Sequence, residues 1–193
     1  EYIRPVSDSF VSDCFSKYEN NGIINHYNMD YLHCDTSDKY DLIIGNPPFY
    51  VMKKEDVSVD YSKYYTGRPN IYILFIIHSL LKLEDNGILC FILPSNFTNC
   101  IYYDNTRKYI RDNYWLVDII ECSNEKYIDT KIDTIVMIVQ NKQCKVVNKN
   151  TLEIGKYTIF NTVSKINELS NLTRNATNLY SLNFKVGVGN IVW

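Results

Sequence analysis

The sequence predicts an α/β protein built on a doubly wound, mostly parallel sheet with an antiparallel strand pair at one edge. Three observations predict it. Segments of helical period alternate with short apolar runs over the first 140 residues, the pattern of a sheet whose strands are joined by helices. Two of those runs, Tyr40–Gly45 and 88–93, are apolar without alternation, as strands covered on both faces are. The last two runs, Trp115–Glu121 and 134–139, are separated by a polar loop that leaves no room for a crossover helix. A parallel pair needs a crossover of about a dozen residues or more, so these two strands are expected to be antiparallel.

Taken in order, residues 7–18 place Phe10, Val11, Cys14, Phe15 and Tyr18 at helical spacing, and 23–27 reads as a short strand. After the strand Tyr40–Gly45, an apolar helix is expected over 71–83, closed by Asn86-Gly87 as a C-cap. Strand 88–93 is stopped by Pro94, and Asp104 is placed to cap a helix running to Asp112. Beyond Asn141 the pattern weakens into polar segments with strand-like runs at 157–163 and 184–188. The expected boundary lies near Asn150, giving a catalytic domain over 1–150 and a linker with the start of a second region over 151–193.

At 193 residues the chain is one domain, or one domain and part of another. A composition 46% hydrophobic and 22% charged, with 7 Gly and 5 Pro, excludes a disordered or fibrous chain. The six cysteines, Cys14, Cys34, Cys90, Cys100, Cys122 and Cys144, form no C-x-x-C pair. That predicts a reduced, cytoplasmic protein with neither a disulfide framework nor a metal site. The apolar stretch 71–77 is too short to span a bilayer, so no membrane partner is expected. The opening Glu1, with no Met, implies that something upstream is missing. The net charge of −2 conceals an asymmetry. Residues 141–193 hold seven Lys and Arg against Glu153 and Glu168, a net +5, which leaves −7 on residues 1–140. A basic second part is compatible with a nucleic-acid partner and equally with a plain solvated surface.

The most informative stretch is Asp41-Leu-Ile-Ile-Gly-Asn-Pro-Pro-Phe49. A buried strand delivers Asn46 to its carboxyl end, where open α/β sheets bind ligands. Pro47 pushes Asn46 out of the helical region, and neither proline has an N–H, so the turn is stiff and rich in acceptors. The Asn46 side-chain carbonyl, the Pro47 main-chain carbonyl and the flat Phe49 ring together suit a planar group bearing an NH₂.

Asn46-Pro47-Pro48-Phe49 directly after an apolar strand resembles the catalytic motif of amino-methyltransferases that use S-adenosyl-L-methionine, above all the adenine-specific (N6) DNA methyltransferases of restriction-modification systems. Companion residues follow the family's order. Asp30, before the motif, matches the acid that contacts the cofactor's adenine, and Glu1 stands where the family places the acid on the ribose. Asn70-Ile-Tyr-Ile-Leu-Phe75 resembles a helix start whose Phe packs on the cofactor, and Phe91-Ile-Leu-Pro-Ser-Asn96 resembles the next motif. Tyr127 precedes an apolar strand, as does the family aromatic that stacks on the extruded base. The resemblance covers roughly residues 1–140.

It implies a Rossmann-like methyltransferase sheet, incomplete at its N-terminal side because the Gly-rich cofactor loop has no counterpart. It implies Asn46, Pro47, Pro48 and Phe49 as catalytic residues, and Glu1, Asp30, Asn46, Pro48 and Phe75 around the cofactor. Phe49 and Tyr127 would stack on the substrate base, with double-stranded DNA as substrate, no metal, and a restriction endonuclease as partner or fusion. Val186-Gly-Val-Gly189 loosely resembles the start of a target-recognition region. The same motif serves enzymes acting on the glutamine amide of release factors or on guanine in ribosomal RNA, and a non-catalytic DNA-binding subunit is a further alternative. The basic region past the last sheet strand and the aromatic at Tyr127 favour DNA adenine.

Overall fold

The structure is a computed structural model that describes residues 29–35, 37–122, 132–142, 148–177 and 182. The chain divides into two compact units, residues 1–35 and 36–193. In the first, Asp30 starts a single 3₁₀ turn, Tyr31–His33, accepting from Leu32 N at 3.0 Å, while its second carboxylate oxygen meets His33 Nδ1 at 3.0 Å. The helix expected over 7–18 and the strand over 23–27 lie outside the described residues.

The second unit runs β1 (Tyr40–Gly45), α1 (Ile71–Leu81), β2 (Leu83–Pro94), α2 (Asp104–Asn113), β3 (Trp115–Glu121) and β4 (Thr134–Gln140). The sheet order is β1-β2-β4-β3. β1 and β2 are parallel, and β4 is antiparallel to both β2 and β3, so β3 runs in the direction of β1 and β2. The fold is therefore α/β and mostly parallel, with one antiparallel strand inserted beside the β3 edge. The short connection between β3 and β4 dictates this, as its length predicts.

The expectation that Tyr40–Gly45 is covered on both faces does not hold: β1 is the edge strand of the described sheet, with Leu42 55% and Ile44 71% exposed. Burial along β2 and β4 is one-sided. Leu89, Phe91 and Leu93 of β2 and Ile135, Met137 and Val139 of β4 are buried, while Ile88, Cys90 and Ile92 between them are half-buried. Helix α1 packs on β2 and α2 on β3. Nine of the 11 residues of α1 are buried, which makes it a core helix rather than an amphipathic surface one.

Two expectations about helix ends need correction. Helix α1 stops at Leu81 with Lys82 as its cap, and Asn86 sits inside β2 at φ 66°, so Asn86-Gly87 is no C-cap. The reason is that Leu83 is already buried and paired with Tyr40, which commits the chain to the sheet. Asn86 N donates to Asn141 O and Asn141 N to Gly87 O, both at 2.8 Å, fastening this kink to the end of β4. Asp104 does not cap α2 but is its first residue, after an N-cap at Tyr103 that makes no side-chain bond. Its carboxylate is buried and turned elsewhere, accepting from Thr158 N at 2.8 Å and pairing with Lys108 Nζ at 2.7 Å.

After β4 come a hairpin of β5 (Thr151–Ile154) and β6 (Tyr157–Phe160), turned at Gly155 with φ 60°, and then α3 (Val163–Thr173). The strand-like reading of 157–163 holds only to Phe160. Thr162 then caps α3 by accepting from Lys165 N at 3.4 Å. Helix α3 is absent from the sequence expectation because it buries only Ile166, too thin an apolar stripe to stand out. The run 184–188 lies outside the described residues.

Arg107 fastens the hairpin to α2. It is 1% exposed and donates from Nε to Thr158 O at 2.6 Å, and from Nη1 to Phe97 O at 2.8 Å and Cys100 O at 2.9 Å. Burial lowers the guanidinium pKa, and neighbouring Asp104 opposes that shift. Arg111 Nη1 adds a bond to Thr158 Oγ1 at 2.9 Å. Among the described residues no helix is long and apolar enough to cross a membrane.

Candidate active site

β1 carries Asn46 to the carboxyl end of the sheet. Its ladder ends at Gly45, paired with Phe91, because the prolines that follow have no N–H to continue it. A Cβ at position 45 would stand 2.9 Å from the Phe91 ring, so glycine permits this close approach. Asn46 is exposed, Pro47 buried, Pro48 and Phe49 half-buried, and Tyr50 exposed. The motif thus turns an amide outward on a base of packed proline.

Its far side is tied to the start of α1. Ile71 N donates to Tyr50 O at 3.0 Å, Met52 N donates to Pro69 O at 2.9 Å, and Val51 and Asn70 form an antiparallel bridge. Asn70 is the N-cap of α1, accepting from Tyr72 N at 3.5 Å. Tyr72, 1% exposed, meets Phe49 edge-on with ring centroids 6.0 Å apart and planes at 86°. It also meets Tyr103 at 5.5 Å and Phe97 at 6.2 Å. Edge-on aromatic pairs are worth about 0.5–1.5 kcal/mol each beyond area burial, so the tilt of the Phe49 ring is set from beneath by a ring of α1. Burial pushes the Tyr72 hydroxyl far above the ordinary phenol range, with Tyr103 adding to the shift, and the hydroxyl faces Tyr103 without a well-formed hydrogen bond.

The structure therefore gathers Asn46, Pro47, Pro48 and Phe49 on one rim. Phe75, half-buried, lies on α1, the helix that this loop leads into. Asp30 belongs to the first unit, its carboxylate engaged within its own turn. Glu1 and Tyr127 lie outside the described residues. Among those described, no group of three or more His, Cys, Asp and Glu could hold a metal ion.

Sequence reasoning places Asn70 and Tyr72 in a helix-start motif but gives neither a role of its own, and it assigns no part to Arg107. An Asn directly before an apolar run is an N-cap signal, which gives Asn70 its role. The Asp104, Arg107 and Lys108 spacing of i, i+3 and i+4 signals an ion-pair cluster. Nothing local signals that the cluster is buried.

The chain is thus an α/β domain whose mostly parallel sheet presents Asn-Pro-Pro-Phe from its carboxyl rim. Residues 7–128 match the Eco57I restriction-modification methylase family, and the chain belongs to that family. It is 30% identical over 178 residues to the Type II methyltransferase M.CvrRI of Paramecium bursaria Chlorella virus XZ-6E, covering 78% of this chain and 45% of that protein. It is 26% identical over 116 residues to the Type II restriction enzyme and methyltransferase RM.Eco57I of Escherichia coli, covering 56% of this chain and 12% of that protein. The chain thus spans less than half the length of either relative. Among solved structures, a putative class I S-adenosylmethionine-dependent methyltransferase from Listeria monocytogenes superposes with a TM-score of 0.49 at 18% identity, over 60% of this chain and 36% of that one.

Proposed function

We propose that this protein is a site-specific DNA adenine methyltransferase, transferring a methyl group from S-adenosyl-L-methionine to the exocyclic N6 amine of a flipped-out adenine. The observation that carries this reading is the exposed Asn46 amide at the carboxyl end of β1, held by buried Pro47 and followed by a Phe49 ring braced on Tyr72. Family membership supports it.

The adenine amine is a poor nucleophile because its lone pair is delocalised into the ring. Asn46 Oδ1 and the Pro47 carbonyl accept its two N–H bonds and favour a pyramidal nitrogen with a localised lone pair. These acceptors act most strongly as positive charge develops on nitrogen, so they favour the transition state over the ground state. Two prolines hold the acceptors in place, which removes reorganisation at the moment of transfer. The amine is out of reach inside a stacked duplex, so the base is extruded, and Phe49 and Tyr127 take its two faces. Each stack is worth about 1–3 kcal/mol.

The residues present fit the methyl donor: an exposed amide, a half-buried proline and the half-buried ring of Phe75 offer hydrogen bonds and apolar contact to a nucleoside-like group. When bound, S-adenosyl-L-methionine would supply an electrophilic methyl on a sulfonium, the S–CH₃ bond breaking to give neutral S-adenosyl-L-homocysteine while the methylated amine loses one proton to solvent. Asn46, Pro48 and Phe75 are proposed to hold it, and the assignments of Asp30 to its adenine and Glu1 to its ribose belong to the same reading. A restriction endonuclease as partner or fusion is likewise proposed, in keeping with the two activities named in RM.Eco57I. Residues 151–193 would then lead into DNA recognition.

The test is labelled methyl transfer by the full-length protein to unmethylated DNA, ribosomal RNA and release factor side by side, with digestion of the product to nucleosides. N6-methyladenine from DNA is expected, with Asn46→Ala slower by about a hundredfold or more. Near-normal transfer by Asn46→Ala, or label only in RNA or protein, overturns the reading.

A further inference from the structure

The carboxyl rim has a second, apolar part that the chemistry above leaves unused. Between β2 and α2 the chain makes a 3₁₀ turn, Ile101–Tyr103, with Ile101 59% and Tyr102 53% exposed. The turn is pinned from behind, so these side chains cannot collapse inward. Cys100 N donates to Asn96 O at 2.9 Å, Tyr103 N to Cys100 O at 3.1 Å, and the buried Arg107 to Cys100 O at 2.9 Å.

The segment leading to α1 is shaped to seat the Tyr102 ring. Thr66 N donates to Tyr102 O at 2.8 Å, while Asn105 Nδ2 and Thr106 Oγ1 donate to Lys63 O at 3.0 Å and Tyr64 O at 2.6 Å. Gly67, at φ 70°, lies directly against the ring: a Cβ there would stand 2.7 Å from two of its carbons. One face of Tyr102 thus rests on backbone, and half of the residue is left open. Ile101 and Tyr102 are an adjacent exposed apolar pair held on a pinned turn.

Its place in the fold says what the surface meets. The loops after β1 and β2 both leave the carboxyl ends of parallel strands, so Tyr102 stands on the same rim as Asn46. Between the two, Asn70 is bridged to Val51, and Tyr50, Val51 and Arg68 are exposed. Residues 61–69 hold Lys63 and Arg68 and no acid, and residues 95–103 hold no acid either. Arg68, which follows the Gly67 that seats the Tyr102 ring, is an exposed cation suited to a phosphate beside a base.

We propose that Tyr102, flanked by Ile101, lays its open face against the bases left unstacked when the target adenine is extruded, with Arg68 on a neighbouring phosphate. The proposal rests on the reading of the chain as a DNA adenine methyltransferase. An aromatic face set against the opened site replaces part of the lost stacking and delays the return of the base.

The experiment uses the full-length protein. Wild-type methylation is first mapped on unmethylated genomic DNA, and failure at that step breaks the underlying reading rather than this one. Duplexes carrying the mapped site are then made with the target adenine either paired or opposite an abasic position. Tyr102→Ala is expected to lose about tenfold or more in kcat/KM on the paired duplex, and to come within about threefold of wild type when the adenine is already unpaired. Tyr102→Phe keeps the ring and should act as wild type on both. Wild-type rates for Tyr102→Ala on the paired duplex overturn the proposal. So does an equal loss on both duplexes, which would mean a general defect rather than a contact that offsets base extrusion.

Discussion

The loops after β1 and β2 leave the same edge of the sheet and treat their polar groups in opposite ways. The first turns the Asn46 amide out to solvent on a base of two prolines. The second turns the carbonyls of Phe97 and Cys100 inward, onto a guanidinium that also bonds Thr158. A buried donor surrounded by acceptors makes a rigid support, and an exposed acceptor on a stiff turn makes a group ready to bind. The two loops meet through aromatic rings, Phe49 against Tyr72 and Tyr72 against Phe97, so the supporting loop sits directly under the presenting one. The difference teaches that the positions where substitution costs stability and those where it costs chemistry lie side by side here yet remain separable.

The sharpest way to break this contrast is Arg107→Ala. It strands the buried carbonyls of Phe97, Cys100 and Thr158 and removes one of the cations near Asp104, and should lower the unfolding free energy by about 3–5 kcal/mol in urea titration. A loss below about 1 kcal/mol would mean the node is no support. Asn46→Ala should do the reverse: unfolding within about 0.5 kcal/mol of wild type, because the side chain is exposed, while single-turnover methyl transfer falls by about 10²–10³.

Gly67→Ala comes next, at about 1–3 kcal/mol, since it meets both a positive φ and the Tyr102 ring. Combined with Tyr102→Ala, which removes the clash but not the backbone strain, the cost should be less than the sum of the two single changes. The smallest effect belongs to Tyr72→Phe. It deletes a buried hydroxyl with no well-formed bond, so stability should be unchanged or rise by up to about 1 kcal/mol, whereas Tyr72→Leu, losing three edge-on ring contacts, should lower it.

The sheet was legible because each strand holds an apolar run, even where Asp41, Glu84, Asp85 and Asp118 interrupt the strands, but apolar character alone did not reveal that β1 is exposed. Tyr40–Gly45, Trp115–Glu121 and the run ending in Gln140 stand where periodicity and the short β3–β4 connection put them. The Asn-Pro-Pro-Phe turn was legible because proline acts on the backbone whatever surrounds it. Asn86-Gly87 misleads because the same dipeptide serves a helix end and a kinked strand, and only the burial of Leu83 decides between them. Asp104 misleads because a carboxylate at a helix start has two uses, and the partner that wins, Thr158, is 54 residues away. Long-range choices of this kind leave no local trace. Tyr72 illustrates it: the residue is written in the motif, but that it braces Phe49 follows only from three-dimensional packing.

The bonds of Arg107 to Thr158 bear on how such proteins can be recombined. A graft that keeps the sheet and exchanges everything after Asn141 would remove the Thr158 carbonyl from a guanidinium that has no water to turn to, and the Thr158 N–H from Asp104. Junctions for chimaeras that swap the C-terminal part should therefore fall after Phe160, and better after Thr173, where the hairpin and the helix that follows it travel with the sheet.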